Sequence, residues 1–355
     1  MRDMRDLHFS NHRRKASRIT GTKTSLITGG IMFKTVAKLF ALVIAAFAMI
    51  APTHAQTFPE RSVKIVVPYP PGAFNDSLAR MSSEKLTKLW NQTVVVENKP
   101  GGNTTIGNNY VAKSPGDGYT ILITPLPFSA LPALYGKKLP YDALNDFQAL
   151  ILAGSAQNVL ATRKDLGIKN VNELIAYAKK NPGKLNYGST GSGSSNHLSM
   201  ELLMSMTGIK LTHVPYKGSA PAVTALMAGE IDVLFDNIPN IIGQIKAGTV
   251  TPIAVTGLKP SALLPGVPTV SETGAPGFEV NVWFGMQVPA ATPKAVVDQI
   301  NRQLAAIFRE PDTAKRFTDA GVEVVASTPE EFSVLLKSEV AKWGKVVEDA
   351  NIKIE

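Results

Sequence analysis

A chain of 355 residues, 44% hydrophobic and 18% charged, is long enough for about two domains and carries the apolar material for their cores, which excludes global disorder. The formal charge of +9 is concentrated at one end: residues 1–55 hold nine of the 37 Lys/Arg and two of the 28 Asp/Glu, leaving +2 on the remainder. That removes the electrostatic ground for a nucleic-acid partner. With no cysteine, the fold must stand on its core without disulfides.

The first element is a leader. Lys34 and Lys38 precede an apolar run at residues 41–50, and Thr53 and Ala55 are small residues two apart, at −3 and −1 of a cleavage site. This is the pattern of a secretory signal peptide cleaved after Ala55, with Met32 as the expected true start. The run is too short for a spanning helix, and no second one reaches that length, so a soluble periplasmic protein is expected. "HRRK" at residues 12–15 lies too far upstream, without the right apolar neighbours, for a twin-arginine signal.

From there strands and helices alternate. "SVKIVV" predicts a strand, "PYPPGAFND" a turn, and Leu78, Met81, Leu86 and Leu89 the apolar positions of a helix, capped by Asn75 or Asp76. "TVVVENKPGGNTTIG" repeats the design, and "GYTILITP" is a third buried strand with Thr124 near its end. "FQALILAGSAQNVLATRKD" reads as a crossing into a second lobe. There Asn170, with Glu173 three residues on, caps a helix, and "GSTGSGSSNHLSMELL" places small residues ahead of another. "GEIDVLFDN" ends a strand at Asp236. "GFEVNVWFG" returns to the first lobe, and "TPEEFSVLLKSEVAKWGKVVEDA" is the closing helix. The expectation is an α/β protein of two lobes, each a mainly parallel sheet flanked by helices. Residues 56–156 with 283–355 form lobe 1 and residues 157–282 form lobe 2.

In such sheets ligands sit outside the carboxyl ends of strands. The turns at 70–76, 100–107 and 188–196 fall there. Helix starts offer free amides and a positive dipole end, and Ser189, Thr190, Ser192, Ser194 and Ser195 add hydroxyls, so the pattern predicts an anion site. Asp236 at a strand end would repel a full anion, so it is expected to accept from a local amide, a ligand hydroxyl or an ammonium. Enzyme signatures fail by spacing: no serine of 188–196 has the glycines of a nucleophile elbow, Ser189 stands where a P-loop needs lysine, and Asn196 where a dinucleotide fingerprint needs glycine. Composition leaves a Ser192–His197–Asp236 triad open. His197 and His213, the only histidines after the leader, are sixteen apart. No metal or cofactor is expected from them; His197 is placed on the first turn of its helix and His213 in or beside a strand.

The blocks "VPYPPGAFNDSLAR", "ENKPGGNTTIG", "SPGDGYTILI", "YGSTGSGSSNHLS", "HVPYKGSAPAVTALMAGEIDVLFDN", "AVTGLKPSALLPGVPTVSETGAPGFEVNVWFG" and "VPAATPKAVVDQIN" resemble the substrate-binding proteins of tripartite tricarboxylate transporters, the Bug (Bordetella uptake gene) family. The resemblance covers nearly all of residues 58–352. It implies a Venus-flytrap fold that captures a small organic acid and hands it to membrane permease subunits, with no catalysis and no cofactor, as a monomer. A periplasmic ligand sensor is the alternative. It places ligand contacts at Pro71, Gly72, Ala73, Phe74, Asn75 and Asp76, at Asn103, Thr104 and Thr124, and, on the opposing lobe, at Ser189, Thr190, Gly191, Ser194 and Asp236. Ala73 stands where the family commonly has glycine, and Phe74 offers an apolar face, which favours an aromatic or longer aliphatic carboxylate, such as a dicarboxylate, over citrate.

Overall fold

The computed structural model describes residues 58–352; the leader, with the expected start at Met32 and cleavage after Ala55, lies outside them. β1 (Val63–Val67) pairs in parallel with β2 (Val94–Asn98) and β3 (Thr120–Pro125), as strand–turn–helix repeats dictate. α1 (Phe74–Trp90) follows β1, and α2 (Thr105–Ala112) follows β2. After the short α3 (Leu131–Tyr135) comes the 17-residue strand β4 (Phe147–Arg163), whose two halves belong to different sheets.

The first half of β4 pairs antiparallel with β9 (Asn281–Pro289), which itself lies antiparallel beside β3. The second half pairs antiparallel with β7 (Val233–Asn237) and β8 (Val250–Val255), and the four-residue α8 (Val270–Thr273) follows β8. β5 (Asn186–Ser189) joins β7 and β6 (Thr212–Pro215) in parallel to complete that sheet. The two-residue β10 (Glu323–Val324) pairs with β4 beside the crossing, at Ser155 and Gly154. The chain therefore crosses between two sheets twice, near Gln157 and Asn281, which are register partners. This is the two-lobed architecture of periplasmic binding proteins. The outer strands of each lobe are parallel; the crossing strands, whose direction alternation alone left unspecified, are antiparallel.

Three apolar clusters hold the layers. One side of the first sheet packs Ile65, Ile121, Met286 and Val288 against α1 and against α9 (Lys294–Arg309), through Leu78, Leu86, Ile300 and Leu304, with Phe317 of α10 (Pro311–Asp319). One side of the second sheet packs Val159, Leu234 and Val255 against α6 (Ser219–Ala228) and α7 (Ile238–Lys246). The third cluster runs through both lobes, from Leu122 and Phe128 to Leu174 of α4 (Val171–Lys180) and Leu198 of α5 (Ser195–Thr207). Each fully buried Leu, Ile or Phe side chain contributes roughly 1.5–3 kcal/mol of transfer free energy.

The closing helix α11 (Pro329–Asp349) supplies Phe332, Leu336 and Trp343 to that third cluster, and its N-terminus is a complete capping box between Thr328 and Glu331. Glu339 is buried and accepts from two indoles, Trp283 Nε1 of β9 at 3.0 Å and Trp343 Nε1 at 2.8 Å. The paired donors satisfy the carboxylate and make its burial tolerable. Asn170 caps α4 as expected, accepting from Glu173 N at 2.9 Å. Two local expectations fail. α1 is capped by the extended backbone of Ala73 with no side-chain bond, so Asn75 and Asp76 lie inside its first turn. Leu89 is 54% exposed, although Leu86 three residues earlier is fully buried.

Candidate functional site

The candidate residues lie on two rims formed by strand ends. In lobe 1 they follow β1 and β2 or end β3; in lobe 2 they follow β5 or end β7. The rims approach each other closely: a Cβ built on Gly193 would lie 3.2 Å from both Asn103 Nδ2 and Leu134 Cδ1. The turn after β2 thus faces the turn after β5.

On the lobe 1 rim, Pro71, Gly72 and Ala73 are exposed. Asp76 ties the turn together: it accepts from Gly72 N (3.3 Å), from Asn98 Nδ2 (3.0 Å) and, through both oxygens, from Arg80 (2.9 and 3.0 Å). The Arg80 guanidinium holds the Asp76 carboxyl below its ordinary range, against the opposing effect of burial. Both groups are occupied with each other, so neither presents a bare charge. Phe74 turns its ring into the lobe, edge-on to Phe284 (4.7 Å between centroids) and Phe317 (5.4 Å). Asn103 and Thr104 both have left-handed backbone, φ 50° and 75°, a conformation that costs a non-glycine residue on the order of 1–3 kcal/mol. Thr104 is buried, its Oγ1 accepting from Asn108 Nδ2 at 3.1 Å. Three polar atoms of this rim are buried without a hydrogen-bond partner among the described residues: Asn75 Oδ1, Asn103 Nδ2 and Thr124 Oγ1.

On the lobe 2 rim Asp236 is the organising group. It is fully buried at the end of β7, yet four donors reach it. Oδ1 accepts from Asn237 N (2.7 Å), Asn196 Nδ2 (3.1 Å) and Asn240 Nδ2 (3.1 Å), and Oδ2 accepts from the Ser219 hydroxyl. These donors sit in the first turns of α5, α6 and α7, or just before them. One carboxylate therefore gathers three helix N-termini, whose partial positive charges offset its own. Burial raises its pKa while the four hydrogen bonds lower it, and burial dominates. Of the three partners expected for Asp236, the structure supplies the local amide. Thr190 joins the same network by donating to Asn196 Oδ1 at 2.7 Å, and Ser194 caps α5 by accepting from His197 N at 3.3 Å.

Behind this rim Ser189 is buried, its Oγ 2.7 Å from His213 Nε2 and accepting from Gly191 N at 3.1 Å. His197 lies on the first turn of α5 and His213 in β6, both as expected. His197 Nδ1 accepts from Gly193 N at 3.1 Å. The Ser192–His197–Asp236 relay does not form, since His197 is turned to Gly193 and Asp236 to its four donors. Among the described residues no group of three His, Asp or Glu is placed to hold a metal ion, and no helix is long and apolar enough to cross a membrane. Sequence reasoning missed Ser219, Asn240, Asn98 and Arg80. Gly218-Ser219 ahead of α6 has the same small-residue signature as the turn before α5 and was the available signal.

The comparisons place this architecture. The model of the tripartite tricarboxylate transporter family receptor matches residues 78–352. The chain belongs to that family. It is 31% identical to protein BugT of Bordetella pertussis over 321 residues, covering 89% of this chain and 98% of the relative. It is similar to the structure of Rhodopseudomonas palustris Rpa4515 with adipate, at 35% identity and TM-score 0.73, covering 84% of this chain and all of the other. It is also similar to MatC (Rpa3494) of the same organism with bound malate, at 31% identity and TM-score 0.71, covering 82% and 100%. Members of this receptor family are periplasmic solute-binding proteins rather than enzymes, and the two solved relatives hold small carboxylates.

Proposed function

We propose that this receptor is exported with its leader removed after Ala55 and, as a monomer, captures a small dicarboxylate between its lobes and delivers it to permease subunits in the membrane. Lobe 1 comprises residues 56–156 and 283–355, and lobe 2 residues 157–282. The observation that carries the reading is a rim whose Asn75, Asn103 and Thr124 hold buried polar atoms with no partner among the described residues, facing the small-residue turn ahead of α5. Helix starts and hydroxyls meet carboxylate charge with dipoles, without an arginine clamp. The adipate and malate of its relatives support an aliphatic diacid, and Phe74, turned into the lobe, leaves little ring face for stacking an aromatic one.

The test is a thermal-shift screen against mono-, di- and tricarboxylates, aromatic acids and acidic amino acids, followed by titration calorimetry. An acid at a hundred times its Kd adds about 2.7 kcal/mol of stability, enough to raise Tm by several degrees. A selective rise with C4–C6 diacids is expected. A folded protein that responds to no acid, or only to amino acids, refutes the reading.

A further inference from the structure

A buried histidine, His197, and a half-buried one, His213, lie directly behind the turn after β5, and a hydrogen bond fixes which nitrogen of His197 carries the proton. His197 Nδ1 accepts from the backbone N–H of Gly193 at 3.1 Å, so this nitrogen holds a lone pair and the proton sits on Nε2. Nε2 faces Glu201 Oε1 at 3.6 Å. The neighbouring ring meets the same turn: Ser189 Oγ accepts from Gly191 N at 3.1 Å and lies 2.7 Å from His213 Nε2. The rings are stacked, 4.2 Å apart with planes 28° from parallel, and Tyr187 extends the stack at 4.9 Å from His213.

We propose that His197 and His213 are positioning residues of the turn 189–193: a neutral His197 accepts the Gly193 N–H, His213 is hydrogen-bonded to the Ser189 hydroxyl, and the pair sets the backbone that an incoming carboxylate meets. The inference rests on the carboxylate-site reading for its consequence, but its geometry stands apart from any ligand. A proton added to His197 would set an N–H against the Gly193 N–H and place a charge 4.2 Å from the second imidazole.

Burial and the second imidazole favour the neutral form, against the pull of the facing carboxyl of Glu201. From β5 there is Tyr187, whose phenol is bonded to Glu201 and pushed up by burial. From β6 there is His213, and from α5 itself Glu201, whose own pKa burial raises. From β7 Asp236 is spent on its four donors, one of them Asn196 next to His197. From α11 Asp349 lines, with Glu201 and Lys210, a groove on the outer side of α5. Burial first, and His213 second, bring the His197 pKa down to about 3. A hydrogen-bond acceptor that does not titrate across the range of external pH suits a turn that must keep one shape.

The first test needs no ligand: long-range nitrogen–proton NMR of the purified protein labelled at histidine. The expected result is a neutral His197 with its proton on Nε2, unchanged from pH 8 to pH 5. A proton on His197 Nδ1, or a charged His197 at pH 6, overturns the proposal. The second test uses variants and adipate as the probe acid. His197→Phe keeps the stack and removes the acceptor; it should speed Gly193 amide exchange and weaken adipate binding, each by about tenfold, the usual scale of one hydrogen bond. His197→Asn, whose Oδ1 can stand in for Nδ1, should restore both to within about threefold. Equal affinity in the wild type and His197→Phe overturns the proposal. Wild-type protein that binds no acid, with the His197 tautomer and Gly193 protection as stated, refutes the carboxylate reading and upholds the positioning of the turn.

Discussion

Asp236→Ala removes the acceptor that draws α5, α6 and α7 together. Ser219 is half-buried and Asn240 exposed, so their freed donors can turn to water. Asn196 keeps its bond to the Phe235 carbonyl at 2.8 Å. The Asn237 N–H has no such recourse, and Asn196 loses half of what holds its amide. One orphaned buried donor costs about 1–3 kcal/mol, and a partial loss at Asn196 brings the total to about 3 kcal/mol. For a protein of this size that is a fall in Tm of about 5 °C. Asp236→Asn is the informative companion. It keeps an oxygen for Asn196, Asn237 and Asn240, and the Ser219 hydroxyl can rotate to accept from the new amide. Because burial already penalises the carboxylate, the neutral amide should stay within about 1 kcal/mol of the wild type. Thermal melts followed by circular dichroism, with urea titrations for the free energies, measure both. An alanine variant as stable as the wild type, or an asparagine variant as damaged as alanine, refutes the account of Asp236 as the common acceptor.

Other outcomes follow from the same contacts. His197 is neutral and buried with a pKa near 3 against 6.5 when exposed, so the unfolded chain binds the extra proton first. Its contribution to stability is complete above pH 6.5 and declines as pH falls toward 3; the difference in unfolding free energy between wild type and His197→Asn should shrink over that window and stay constant above it. A pH-independent difference would contradict the assigned burial. Gly321 has φ +65°, and a Cβ there would run into Pro239 of the other lobe, so Gly321→Ala should cost at least about 2 kcal/mol in urea titrations. Glu339→Ala should destabilise by about 2–4 kcal/mol by orphaning two buried indole N–H groups, with a changed tryptophan emission, whereas Glu339→Gln keeps an acceptor and should lose less than half as much.

What the sequence made legible was local. Asn170 with Glu173 spells its cap within four residues, and small residues ahead of α5 mark a helix start that must stay open to approach. The cap of α1 was misplaced because Asn and Asp are favourable both at a cap and within a first turn. Asp76 takes the second role, reaching back to Gly72 and forward to Arg80, and only backbone phase separates the two. The position of Asp236 was readable from its strand; its role was not, since Ser219 lies a whole helix away and Asn196 forty residues away. The histidine stack depends on the parallel register that sets Tyr187 opposite His213, which periodicity within one strand does not carry.

β9 lies between β3 and β4, so the sheet of the first lobe takes a middle strand from the far end of the chain, with Leu122 opposite Gln287. Until that segment arrives, β3 has an apolar edge with nothing to bond. Closing a loop of roughly 160 residues before any strand contact repays it slows assembly of this lobe, by a closure cost that grows with the logarithm of that separation. The second lobe, strung between the two crossings, has all its strands, its share of β4 included, supplied by one continuous segment, so its order of assembly does not wait on the terminus. The double crossing that joins the lobes therefore also sets a timetable: the lobe that begins first in the sequence is the one that finishes last.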